Sequence, residues 1–424
     1  MVASSGLFSK QQVKQHFWLI SANMDKIHLG IIREQKTPPD NRTPLTPQQC
    51  QLLQQTFPQL KITVQPSPHR CFTDEEYAQT GIEVSEYLNH CHILLGVKEP
   101  PPPTLLSHKT YLFFSHTIKK QPQNRGLLQT VLQKNIQLID YECLRYTNGK
   151  RIIGFGRFAG IVGAHNGLMA YGNRTGLFTL PPAYRCKDFE EIKQIYSHLS
   201  LPPIRIVLTG AGRVAMGAKE TLDLLKVKHL TPQEYLEHHT WNEPVYVHLQ
   251  NHQLYRHKER HDYERHDFYR HPERYYCHFE PFTRLTDLMI NGIYWDPQAP
   301  LFFTKTEMKN PHFSIKVIAD ITCDINGSIP ATLRATEIGN PVMGYNPQTE
   351  QEDQPYQPHT IDIMSIDNLP NELPRDASDT FGSLLCEHVI PQLLMPHSSI
   401  IEHATITQNG SLTTHFNYLH DYVS

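Results

Sequence analysis

Short apolar runs set the rhythm of the chain. KIHLGII (26–32), KITVQ (61–65), HILLGV (92–97), TYLFF (110–114) and IQLID (136–140) are bounded by proline and polar clusters and are too short for helices, so they predict strands. Between the first two, TPLTPQQCQLLQQTF predicts a helix with Thr46 as its cap and Pro47 at its first position. Thr73 precedes DEEYAQTG, which puts acids in a first helical turn and Gly81 at its end. After the linker Leu201-Pro202-Pro203 a second series begins with IRIVLTGAGRVAMGAKETLDLL. TDLMINGIYW (286–295) and IKVIADITCD (315–324) then predict further buried strands. The polar, proline-rich GYNPQTEQEDQPYQPHT (344–360) predicts a loop. IDIMSIDNL and a helical pattern from Thr380 to Leu394 close the chain. Strand and helix in alternation predict an α/β fold: mostly parallel, doubly wound sheets with helices on both faces.

The length, 424 residues, fits two core-forming domains. A formal net charge of −3 supplies no basic field, which argues against nucleic acid as a partner. No apolar run approaches the ~18 residues that span a bilayer. The eight cysteines (50, 71, 91, 143, 186, 277, 323, 386) are scattered with no C-x-x-C, which fits a reducing compartment and argues against a disulfide framework or zinc ribbon. The first 25 residues hold no acid before Asp25 and only lysine as base, so they read as an N-terminal extension rather than an arginine-rich presequence. The expected location is cytoplasmic, with the mitochondrial matrix as the alternative.

Val207 to Gly217 carries the clearest chemical signal. A strand runs into Gly210-Ala211-Gly212-Arg213-Val214, and a helical pattern follows past Gly217. Glycines let backbone approach a pyrophosphate, and the helix then offers its first N–H groups to the phosphates. The spacing is G-x-G-x-x-x-x-G rather than G-x-G-x-x-G. The acid expected at the end of the next strand, for an adenosine ribose, is missing from KVKHLTPQEYL (226–236). Its absence removes repulsion against a 2′-phosphate, so NADP(H) is as compatible as NAD(H). Lys98 follows HILLGV and His116 follows TYLFF, at the strand ends where open α/β sheets put their ligands; both are suitable acid–base groups once their surroundings shift them.

The most conspicuous stretch is YRHKERHDYERHDFYRHPERYY (255–276). His257 and His261 have helical metal spacing, but His266 and His271 step by five and rotate away, so no metal site is expected. From Arg256 to Arg274 six basic residues face five acids, too balanced to drive phosphate binding. The stretch reads as a solvated connector laced with ion pairs, with its His271-to-Tyr276 end near the chemistry.

LLGVKEPP, KTYLFFSHTIKKQ, QLIDYE, KRIIGFGRFAGIVG, HPERYY, INGIYW, GSIPATLRATEIGNP, MSIDNLPNELPRDAS and ATITQNGSL occur in the order of one family. Together they resemble lysine:2-oxoglutarate reductase, the saccharopine-forming half of aminoadipic semialdehyde synthase. The likeness runs from about Ile27 to about Tyr418 and lacks the saccharopine-oxidising half. More distantly the chain resembles lysine-forming saccharopine dehydrogenase and, in REQKTPPDNRTPLTP, alanine dehydrogenase. The resemblance implies two Rossmann-like domains flanking a cleft. The substrate domain would cover 26–165 and return over 346–424, and the dinucleotide domain would cover 166–345.

It also implies reversible NAD(P)H-dependent condensation of L-lysine with 2-oxoglutarate to saccharopine, with NADP(H) slightly favoured. By similarity Lys98 and His116 form the acid–base pair, and Glu99 and Glu142 hold up the charged form of one or both. Arg33, Lys119, Glu142, Arg151 and Phe155 meet substrate. Gly210, Gly212, Arg213, Val214, Gly217, Asn291, Gly292, Ile293 and Asp320 meet the coenzyme. The competing readings are an NAD-dependent enzyme working toward lysine, an alanine-dehydrogenase-like activity, and an inactive metabolite-binding homologue. The oligomeric state is left open.

Overall fold

A computed structural model describes residues 26–238 and 240–424, so the N-terminal extension lies outside the described residues. Six strands come first: β1 (Ile27–Ile31), β2 (Leu60–Val64), β3 (Glu83–Val84), β4 (Ile93–Lys98), β5 (Thr110–Phe114) and β6 (Gln137–Asp140). The middle of the chain supplies β7 (Arg205–Thr209), β8 (Lys228–Leu230), β9 (Val245–Leu249), β10 (Tyr255–His257), β11 (Tyr275–Cys277), β12 (Leu288–Asn291) and β13 (Val317–Asp320). It ends with β14 (Val342–Asn346), β15 (Gln351–Asp353) and β16 (Ile361–Met364). β17 (Thr405–Gln408) and β18 (Ser411–Leu412) are the last strands, and short helical turns follow them.

Two compact units result, one of residues 26–154 with 378–424, the other of 155–377. Each holds an eight-stranded sheet, so the expected pair of doubly wound, Rossmann-like α/β domains is present. In the first unit the order is β18-β17-β6-β5-β4-β1-β2-β3. β1 to β6 run parallel, and the chain's end returns as β17, antiparallel to β6. The expected caps hold: α1 (Pro47–Thr56) begins at Thr46 and α2 (Asp74–Gln79) at Thr73, each with a reciprocal capping box. Leu94, Tyr111, Phe113, Leu128, Val131 and Leu138 form the core on one face of this sheet.

The second unit's order is β15-β14-β16-β13-β12-β7-β9-β8. Apolar clusters cover both faces, which is why its central strands read as continuous apolar runs. One face is covered by α3 (Gly156–Thr175), which packs on α4 (Arg213–Leu224).

Three sequence expectations change. The units divide at Gly154/Phe155 and Ala377/Ser378 rather than at 165/166 and 345/346. One unbroken helix starts at Gly156, and β14 to β16 pair inside the second sheet. Second, 344–360 is no simple loop. Its first three residues belong to β14, which forms an antiparallel edge hairpin with β15, and β16 begins directly after it. An edge strand with no buried face shows no apolar alternation, so nothing marked it. Third, the helix expected from Thr380 begins earlier, as α5 (Pro374–Leu384), and continues through a π turn to Leu393. Among the described residues no helix is long and apolar enough to cross a membrane.

Candidate functional site

In the first unit the C-terminal ends of the parallel strands converge, and the polar residues that follow them meet. Lys98 ends β4. His116 stands two residues past β5, with left-handed backbone (φ 55°) and its ring stacked on Phe114. Four charged groups come within electrostatic reach of His116 there: Lys98, Glu99, Glu142 and Lys119. Burial pushes the His116 imidazolium down and Lys98 adds to this, outweighing the lift from Glu99 and Glu142. His116 is therefore the neutral, proton-accepting member near pH 7. The expected support of its charged form by the two glutamates is present but is not the winning effect.

Each glutamate has a cation of its own. Glu142 accepts from Arg151 Nη2 at 2.7 Å and lies 3.9 Å from Lys119 Nζ. Glu99 pairs with Lys36. Arg33 pairs with Glu86 on the wall of a cavity of about 440 Å³ that Gln65, Asn89 and Tyr111 also line. Phe155, expected to line a pocket with Arg151, opens the second unit, where it packs partly buried against that unit's core.

Sequence reading missed four supporting residues. Glu34 reaches under the end of β4, where its carboxyl group accepts from the N–H groups of Val97 (2.6 Å) and Lys98 (2.9 Å). Burial, then the nearby Asp40, push this carboxyl up to about 8. Asp40 and Arg42 form a buried two-pronged pair, Nε to Oδ1 at 2.9 Å and Nη2 to Oδ2 at 2.6 Å. Burial works against ionising Asp40, but the Arg42 charge and hydrogen bonds take its carboxyl down to about 2. Asp140, at the end of β6, accepts from the Ser115 N–H (3.0 Å), the Ser115 hydroxyl and the Glu142 N–H (2.7 Å), so it fixes the loops on both sides of the pair. Burial raises its carboxyl to about 6. For Glu34 and Asp140 the available signal was an acid within two residues of the end of an apolar run, as in IIRE and QLID.

In the second unit β7 delivers the glycine turn. Gly210 has φ 111°, and a Cβ there would come within 2.4 Å of the Gly292 carbonyl oxygen, so only glycine fits. At Gly212, the N-cap of the twelve-residue α4, a Cβ would meet nothing within 4 Å, and the helix's first turn follows with Arg213 and Val214. This cradle fits the phosphates of a dinucleotide. Gly217 has another task. A Cβ there would stand 2.0 Å from the Arg157 carbonyl oxygen, so this glycine lets α4 lie against α3 and is not part of the cradle.

Asn291 and Asp320 are wholly buried at the ends of β12 and β13. Asn291 accepts from Thr209 Oγ1 (2.8 Å) and donates to Asp320 Oδ1 and Ser328 Oγ (both 2.9 Å). Asp320 also accepts from Thr332 (2.6 Å) and Thr322 (2.7 Å), and burial raises its carboxyl to about 6. Their side chains brace the strand ends, while Gly292 and Ile293 follow directly, Gly292 donating to the Thr209 oxygen at 3.1 Å.

The sheet order corrects the search for a ribose-binding acid. β8 is the edge strand, and β9 is the one that lies against β7. The relevant strand end is therefore His248-Leu249-Gln250, where His248 Nε2–H donates to the Gly210 oxygen at 2.6 Å. It too lacks an acid. The arginine–histidine stretch forms a small β10–β11 hairpin, with Asp267 within 3.5 Å of both Arg260 and Arg274. Its Tyr275 is buried in the unit's aromatic core, donating to Asp267 at 2.9 Å, so that end is structural.

Residues 30–162 match the family model for the alanine dehydrogenase/PNT N-terminal domain. The mouse protein named alpha-aminoadipic semialdehyde synthase, mitochondrial, is 31% identical over 92% of this chain and 47% of its own length. The fission yeast (Schizosaccharomyces pombe) protein named saccharopine dehydrogenase [NAD(+), L-lysine-forming] is 24% identical over 87% of this chain and 92% of its own. The solved structure of an L-alanine dehydrogenase shares the fold, with TM-score 0.63 at 15% identity, covering 94% of this chain and 100% of that one. The chain thus spans about half the length of the synthases it matches. Residues 30–162 belong to the alanine dehydrogenase/PNT N-terminal domain family, within a chain homologous to the alpha-aminoadipic semialdehyde synthases and the L-lysine-forming saccharopine dehydrogenases.

Proposed function

We propose that this chain is a nicotinamide-dependent oxidoreductase that condenses L-lysine with 2-oxoglutarate to saccharopine. The observation that carries the reading is the meeting of Lys98 and His116, among Glu99, Glu142 and Lys119, at the ends of β4 and β5. A neutral imidazole there takes a proton from the ε-ammonium of lysine, freeing the amine to attack the keto carbon. Lys98 donates a proton to the keto oxygen as it becomes a hydroxyl, takes one from the newly bonded nitrogen and passes it to the hydroxyl as that leaves as water, giving a protonated imine. Lys119, Arg151 and Arg33 face the carboxylates that both substrates carry. The coenzyme, when bound at the Gly210–Gly212 turn, supplies the hydride that reduces the imine carbon to the secondary amine.

The strand end beside the turn favours NADP(H), because Leu249 and Gln250 put no carboxylate where a 2′-phosphate would lie. The reverse, lysine-forming direction uses the same groups with their proton roles exchanged, and the name of the fission yeast relative speaks for that direction. The test is coenzyme oxidation with lysine plus 2-oxoglutarate, run with NADPH and with NADH. No rate above buffer from protein that binds NADPH would refute the enzyme reading. A Lys98→Met, His116→Gln double variant should lose at least a thousandfold in kcat, and full activity would refute the site.

A further inference from the structure

At its C-terminal end β4 slips against β5. Leu95 pairs with Leu112 and Lys98 with Phe114, so three steps on β4 span two on β5. Gly96 and Val97 together oppose Phe113, which is a one-residue bulge. On its other side β4 is losing its partner. β1 ends at Ile31, and the last bond across is Ile32 N–H to the Leu95 oxygen at 2.9 Å. The chain then turns away, and Arg33 N–H donates to Gln65 Oε1 at 3.1 Å.

In a regular strand successive N–H groups point to opposite edges. Here the bulge brings those of Val97 and Lys98 to one carboxyl group, Glu34 Oε1 at 2.6 Å and Oε2 at 2.9 Å. That group stands where the next residue of β1 would have supplied acceptors. Space is tight on the bulge itself, since a Cβ on Gly96 would come within 2.9 Å of Ile32 Cδ1 and 3.3 Å of the Lys98 oxygen.

We infer that Glu34 is a positioning residue, whose two carboxyl oxygens lock the bulge at Gly96–Val97 and through it aim the side chain of Lys98. Without the lock, two enclosed amide donors lose their acceptors, the bulge can relax toward regular pairing, and a one-residue slip turns a side chain to the other face of the sheet. The inference rests on the proposed role of Lys98.

The experiment uses the full chain with Glu34→Gln, which keeps one acceptor but sets an NH2 donor against the second amide. The expected result is a kcat at least tenfold lower, with the Kd for NADPH, read by nucleotide fluorescence, within twofold of wild type. Because the effect runs through Lys98, adding Glu34→Gln to Lys98→Met should lower the residual rate no further. A Glu34→Gln kcat within twofold of wild type, or losses that multiply in the double variant, would overturn the inference. If Glu34→Gln does not fold, Gly96→Ala crowds the same bulge without altering Glu34; it should give the same kcat loss at unchanged NADPH affinity, and a kcat within twofold would overturn the inference. A fully active Lys98→Met sinks both this inference and the proposed site. An inactive Lys98→Met beside a fully active Glu34→Gln sinks this inference alone.

Discussion

Gly217→Ala separates two explanations of one glycine. Read from its motif, Gly217 serves the coenzyme, and an added methyl should weaken nucleotide binding while leaving the fold intact. The structure puts the new Cβ 2.0 Å from the Arg157 oxygen, 2.9 Å from its carbonyl carbon and 3.1 Å from its Cα. All three are backbone atoms of α3, so no side chain can swing aside. A carbon–oxygen contact sits near ~3.3 Å, so α3 and α4 must part by about 1 Å or more, across a core that includes Phe158, Val162, Ala215 and Ala218. Overpacking of this kind costs about 1–3 kcal/mol, which for a unit of this size lowers Tm by roughly 2–10 °C. Thermal unfolding followed by far-UV circular dichroism, without nucleotide, reads it directly. Gly212→Ala is the control. With nothing within 4 Å of its Cβ, it should cost no more than about 1 kcal/mol, the N-cap preference, while weakening NADPH binding. A Gly217→Ala protein with unchanged Tm would refute the close helix approach; loss of NADPH binding at unchanged Tm would restore the coenzyme role.

Three further outcomes follow from named contacts. Arg42→Ala takes the two-pronged cation from the buried Asp40 carboxylate, which should cost about 3–5 kcal/mol in a urea titration; a loss under 1 kcal/mol would show that water reaches the pair. Burial raises the Glu372 carboxyl to about 7, so the folded state holds a proton that the unfolded state has released above the ordinary glutamate value. Its contribution is complete below about 4.5 and is lost as pH rises to 7, a loss of up to about 3 kcal/mol that Glu372→Gln should abolish; equal pH–Tm slopes for wild type and variant would refute it. Gln250→Asp puts an acid, itself a good helix cap, on the strand end beside the glycine turn. It should raise the Kd for NADPH at least tenfold relative to NADH, and an unchanged ratio would show that the ribose lies elsewhere.

The sequence by itself determined what depends on local order. Strand and helix identities, the Thr46 and Thr73 caps and the glycine turn after β7 follow from periodicity, cap chemistry and backbone sterics within a few residues. The ends of HILLGV and TYLFF named Lys98 and His116 for the same reason: parallel strands deliver their next residues to one edge of the sheet. Only the tertiary structure decided what depends on which strand lies beside which. It placed β9 rather than β8 against β7, moving the ribose question to Gln250. It consumed Asn291 and Asp320 in a buried network, gave Gly217 to helix packing, and set Glu34 beneath a bulge in a strand about sixty residues away. Pairing order and bulges arise from contacts between distant segments, which no local pattern encodes, so these assignments waited for the fold.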